Sequence, residues 1–162
     1  LAILLAAGFI LNMFVGKAIS GATGGMISPE FIISAFCLTI LVVRPNIGQA
    51  LVIGLISAAV IQITTTSPFI DFAAEGVAAV VMALIVKAGM KTPAKKIIPL
   101  VGTFVTTVLS GCIFMVIKMA MIGVVGELAA AMLPVVIATA VFNAILCQAL
   151  YVPIKKALKV ED

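Results

Sequence analysis

The sequence predicts an all-α membrane protein, a six-transmembrane-helix bundle with both termini cytoplasmic, and three observations carry that expectation. Hydrophobic residues make up 64% of the chain and charged residues only 10%, against roughly a quarter charged in an ordinary globular protein. The mean hydropathy is +1.39. Six apolar runs come near or above the length a spanning helix needs, about 20 residues at a rise of ~1.5 Å each. The charges also sort to opposite ends of those runs: Glu30, Asp71, Glu75 and Glu127 fall at one kind of connection, and Arg44, Lys87, Lys91, Lys95, Lys96, Lys155, Lys156 and Lys159 at the other. That partition is the positive-inside pattern, and it fixes an orientation as well as a class.

Spans are expected at about 1–18, 29–43, 46–66, 68–88, 93–122 and 127–158, with residues 1–162 forming one integral membrane domain. The first run opens at Leu1 with neither a basic segment nor a small-residue cleavage site around it, so it reads as a span and not a signal peptide, with residues expected upstream of it. The second is short and is expected to lie steeply, thin the bilayer locally or be covered by its neighbours. Arg44-Pro45-Asn46 separates it from the third. Ser28-Pro29, Ser67-Pro68 and Thr92-Pro93 each place a hydroxyl before a proline, the pattern of an N-cap followed by a first helical residue that has no N–H to leave unsatisfied. Pro99 and Pro134 fall inside the last two runs and are expected to kink them. Gly123 and Gly126 bracket the turn between those runs. The connection from Lys17 to Glu30 is the largest outer one, and Gly16, Gly21, Gly24 and Gly25 give it the freedom to close over a ligand or merely to link two helices.

Several chemistries are excluded or disfavoured. There is no histidine, which removes HExxH zinc sites and Ser-His or Cys-His pairs. Leu11 stands where a phosphate loop ending at Gly16-Lys17 would need its first glycine. Ser110 is eight residues from Lys118 on one helix, about 12 Å along the axis, too far for a Ser-Lys hydrolase pair. Cys37, Cys112 and Cys147 have neither metal-like nor paired spacing and read as small hydrophobes. No enzyme activity, no metal and no cofactor in this chain is expected. The net charge of +4 sits beside apolar helices, where anionic lipid attracts it, so no nucleic-acid partner is expected.

The informative residues are the polar ones that cost free energy in lipid. Lys118 lies inside an apolar run, where it must snorkel or line a polar cavity. Glu75 is its natural counterpart, and Asp71 shares a helix face with it at i, i+4, although a dipole-favoured N-terminal charge explains Asp71 equally well. Together they suggest a zwitterion site, with Lys118 for a carboxylate, Glu75 or Asp71 for an ammonium, and Phe72, Phe114 or Met115 for an apolar body. Asn143 is either the floor of such a pocket or a bond between helices, and Gln62, Thr64, Thr65, Thr66 and Gln148 read first as interhelical glue. Ala2 and Ala6 form a small-xxx-small pair that permits close helix approach.

The chain as a whole resembles the substrate-binding S components of energy-coupling factor (ECF) transporters, and within them the bacterial tryptophan transporter group. The residues that carry this are Ser28-Pro29-Glu30-Phe31, Ile63-Thr64-Thr65-Thr66-Ser67-Pro68, Gly102-Thr103, Ser110-Gly111-Cys112-Ile113-Phe114, and Leu133-Pro134-Val135-Val136 leading to Asn143. The chain departs from the group at Phe69-Ile70-Asp71-Phe72-Ala73-Ala74-Glu75, where a glycine-rich segment and an Asp-Lys pair would stand, and this leaves the solute open. The resemblance implies a multi-pass protein of a bacterial cell membrane that binds tryptophan, another aromatic amino acid or a vitamin near the outer surface. It further implies docking through Ala2 and Ala6 on a transmembrane T component that carries two cytoplasmic ATPases, so that ATP is used by partners. The alternative is a stand-alone secondary transporter or channel in which Glu75 and Lys118 are ion or proton groups.

Overall fold

A computed structural model describes residues 1–25, 29–65, 67–123 and 125–160. Among these all regular secondary structure is helical, with no strand. The helices are α1 (Ala2–Ala22), α2 (Phe31–Val43), α3 (Ile47–Ile61), α4 (Ile70–Gly89), α5 (Ile98–Ile122) and α6 (Gly126–Ala157). Four of them, α1, α4, α5 and α6, are long and apolar enough to cross a membrane. Their outward faces are apolar too: Ile3, Phe14, Val77, Val116, Val141 and Ile145 are all exposed. An apolar exterior of that extent is unlike a water-soluble surface and is compatible with a membrane helical bundle.

The short second helix is the centre of the bundle. Its 13 residues span only about 20 Å, and Phe31 through Val42 are all buried. All five other helices pack on it, so of the three fates expected for a short apolar run, cover by its neighbours is the one observed. Around it α3 packs on α4, α4 on α5 and α5 on α6. Small residues set the closeness of these contacts. A Cβ added at Gly54 of α3 would lie 2.5 Å from the Glu75 carbonyl oxygen of α4, and one at Gly111 of α5 would lie 2.7 Å from Val136 of α6. The packed core gathers at the basic end, from Phe36, Ile40 and Leu41 of α2, Ala79 and Met82 of α4, and Cys147 and Tyr151 of α6. All three cysteines are free thiols, Cys37 and Cys147 buried within this core.

Helix ends differ from expectation where side chains found other partners. α1 does not stop near Ala18 but runs to Ala22 through a π-helical stretch, Asn12–Gly16. Gly16 and Gly21 are therefore helical; the turn proper is at Gly24 and Gly25, whose φ angles of +61° and +82° suit glycine. Ser28 and Thr66 lie outside the described residues, as does the part of the proposed lid at 26–28. The hydroxyl-proline caps expected at Ser67-Pro68 and Thr92-Pro93 do not open the long helices. α4 begins only at Ile70, after Phe69 in the left-handed region, and the Phe69 N–H donates to Gln62 Oε1 at 2.9 Å. Pro93 opens a separate 3-10 turn, Pro93–Lys96, while the Thr92 hydroxyl donates back to the Gly89 carbonyl. Because α5 starts at Ile98, Pro99 falls in its first turn, where the missing N–H costs no hydrogen bond and no interior kink arises. Pro134, by contrast, lies inside α6, as does Pro153. One cap was not anticipated: Asn46 accepts from the Gln49 N–H at 2.9 Å and Gln49 accepts from the Asn46 N–H at 3.1 Å, a reciprocal capping box that fixes the start of α3.

Candidate functional site

The packed core stops short of the acidic end, where residues of all six helices and their connections line a cavity of about 400 Å³. The sequence places polar groups on its walls by helical spacing. Asn12, Gly16 and Ser20 recur every four residues on α1, a single polar-tolerant stripe in an otherwise apolar helix, and with Lys17 they line the cavity. Gly16 is buried against the chain ahead of α2, where an added Cβ would meet the Pro29 carbonyl oxygen at 3.2 Å. On α5 the buried hydroxyls of Thr103, Thr106, Thr107 and Ser110 form one inward stripe, and its last two members reach the cavity.

Three carboxylates line the same space. Glu30 precedes α2; the Asn12 side chain hydrogen-bonds its carboxylate, and its backbone carbonyl accepts from Asn143 Nδ2 at 3.2 Å. Asp71, 6% exposed in the first turn of α4, accepts from Gln62 Nε2 at 3.1 Å and is also bonded by Thr65. Glu75, 3% exposed and one turn deeper, accepts the Ser110 hydroxyl at 2.8 Å on Oε1, while its Oε2 has no partner. The buried Thr107 Oγ1 is likewise without a partner. Unpaired buried polar atoms are uncommon, and each carries the cost of lost hydration. Ile33, Ile61, Phe114, Met132, Val135 and Val136 supply apolar wall.

Of the residues singled out from sequence, Glu75, Asp71 and Phe114 lie on this cavity. Lys118 does not line it. Two turns beyond Ser110 on α5, Lys118 is half-buried and holds its ammonium 5.5 Å from the Phe114 ring centroid, a cation–π contact. Glu75 and Lys118 are thus not the two walls of one pocket; the lysine that lines it is Lys17. Phe72 and Met115 are also outside the lining, the first half-buried and the second buried. Asn143 is fully buried and joins α6 to the start of α2, the interhelical alternative of the two weighed for it. Gln62 and Gln148 act as glue, the latter between α6 and the Lys96 carbonyl and Leu100 N–H. Ala2 and Ala6 are both exposed on α1. The α1 and α5 stripes were readable as polar residues at helical spacing; that they converge was not. Among the described residues no group of histidine, cysteine, aspartate or glutamate could hold a metal ion.

No family model, curated protein or solved structure matches the chain.

Proposed function

We propose that this chain is the substrate-binding membrane subunit of an importer of the ECF type, taking up a small organic solute, with an aromatic amino acid such as tryptophan the first to try and a vitamin the next. The observation that carries the reading is the cavity: all six helices contribute to it, it is partly polar and partly apolar, and it lies at the end opposite the lysine-rich stretch 87–96 and the C-terminal lysines. A concave, mostly apolar space with a few convergent polar groups is the form of a small-molecule site. With the lysine-rich end cytoplasmic, six spans put the cavity on the outer side. The exposed Ala2 and Ala6 of α1 leave a surface of small residues on which a T component can pack closely. Partner ATPases would then supply the energy.

The test is gentle purification followed by mass spectrometry of retained small molecules, together with a search for a T component and two ATPases that co-purify. Retained solute with co-purifying ATPases is the expected result. One observation favours a second reading: the unpaired Glu75 Oε2, buried in an apolar helix, is also what a proton- or ion-coupled secondary transporter or channel would carry. Uptake that persists in a host stripped of ECF ATPases would select that reading over the first.

A further inference from the structure

The cavity's ionisable side chains are unevenly divided between acid and base, and the imbalance points to a solute class. Its lining sets three carboxylates, Glu30, Asp71 and Glu75, against one lysine among the described residues, Lys17. Glu30 and Asp71 also lie within electrostatic range of Glu75. The first two have local reasons to be there. Each sits at or in the first turn of a helix, where the dipole favours negative charge, and each is hydrogen-bonded by neighbours, Glu30 by Asn12 and Asp71 by Gln62 and Thr65. Glu75 has neither advantage in full. It stands beyond the first turn of α4, is almost wholly buried, and spends one oxygen on Ser110 while the other has no partner. Thr107, one turn from Ser110 on α5, presents a second buried oxygen without a partner to the same space.

We propose that the unpaired Glu75 Oε2 and Thr107 Oγ1 form the seat of an ammonium group, and that the cavity selects amines without a carboxylate over amino acids and over carboxylic acids. This rests on the solute-binding reading above and replaces its first-choice amino acid with the corresponding amine. An ammonium donates three hydrogen bonds and carries the charge that Glu75 lacks a partner for. A water molecule would supply donors without charge. Among the described residues no three acidic, histidine or cysteine side chains are grouped to hold a metal ion. A carboxylate on the solute would face the excess negative charge of the lining with only Lys17 to receive it. Ile33, Phe114 and Val136 are placed to cover the apolar body.

The experiment uses the full chain purified in detergent or nanodiscs and two matched probe series, read by calorimetry. Tryptamine, tryptophan and indole-3-propionate share one apolar body; cadaverine, lysine and 6-aminohexanoate share another. The expected order in at least one series is amine tightest, amino acid next and acid-bearing analogue weakest, with about tenfold or more between the extremes, as for a lost bond to a charged group. Glu75→Gln and Thr107→Val should each weaken the amine by about tenfold while Thr107→Ser restores it. Indole-3-propionate that binds as tightly as tryptamine, 6-aminohexanoate that binds as tightly as cadaverine, or amine affinity unchanged in Glu75→Gln, overturns the amine assignment and leaves solute binding standing. If neither series binds and no solute is retained through purification, the solute-binding reading falls with it.

Discussion

Gly54→Ala should loosen the bundle and damage the cavity together, because Gly54 is where α3 touches the backbone of Glu75. The added methyl would sit 2.5 Å from the Glu75 carbonyl oxygen and 2.8 Å from the Ala79 Cβ. Neither obstacle is the far end of a flexible side chain, so the helices must separate by somewhat less than ~1 Å to restore ordinary contact. A gap of ~0.5–1 Å forfeits a quarter to a half of the dispersion energy of the atoms along it. Overpacking of this kind costs about 1–3 kcal/mol, which for a chain of this length lowers the melting temperature by roughly 2–4 °C per kcal/mol. Thermal unfolding in detergent should therefore show a fall of roughly 2–12 °C. Moving the Glu75 backbone also strains the 2.8 Å bond from Ser110, so solute affinity should fall with stability. Gly21→Ala is the control, since that helical glycine has nothing within 4 Å of an added Cβ; it should be neutral or stabilise by up to ~1 kcal/mol. A Gly54→Ala protein that melts together with Gly21→Ala, solute affinity intact, would refute the claim that close α3–α4 contact positions Glu75.

Asn46→Ala should destabilise by about 0.5–2 kcal/mol through loss of the capping box, with Asn46→Ser recovering most of it; equal melting of the two variants would sink the capping argument. Asn143→Leu removes the bond to the Glu30 carbonyl, which still accepts the Ser34 N–H, and should cost about 0.5–1.5 kcal/mol, the net worth of one hydrogen bond; unchanged stability, again by thermal unfolding, would show that the bond is not made. Cysteines placed beside Lys95 and near the C-terminal lysines should react only with permeant reagents in sealed cells, and one beside Thr23 should react from outside; labelling at Lys95 from outside would overturn the six-span orientation. Ala6→Trp should block assembly with a T component while sparing solute binding, and normal ATP-dependent uptake by that variant would count against docking through α1.

The sequence by itself determined the helical class, because apolar runs of spanning length admit little else, and it determined the two ends of the bundle, because charges cannot be moved through an apolar interior without cost. It also singled out three residues that lie on the cavity wall, the carboxylates of Glu75 and Asp71 and the apolar ring of Phe114. Local signals failed where a group found a partner other than the expected cap. Ser67 and Thr92 looked like caps, yet the Phe69 N–H is taken by Gln62, and Thr92 bonds back to Gly89. The short apolar run at Phe31–Val43 could not reveal that it is wrapped by all five other helices, since burial is a property of the neighbours.

Only the tertiary structure decided which polar groups share a space. Two charged residues of comparable depth, Glu75 and Lys118, make a natural pair on paper, but the pairing depends on how α5 is rotated against α4. Ser110, not Lys118, faces Glu75, and Lys118 turns to Phe114. Lys17 takes a place on the lining because α1 continues through Gly16 as a helix instead of breaking into a loop. Periodicity fixes which residues share a face of one helix; the angle at which that face meets its neighbours is set by side-chain packing, here by glycines such as Gly54, which lets the Glu75 backbone approach, and Gly111, which admits the Val136 side chain.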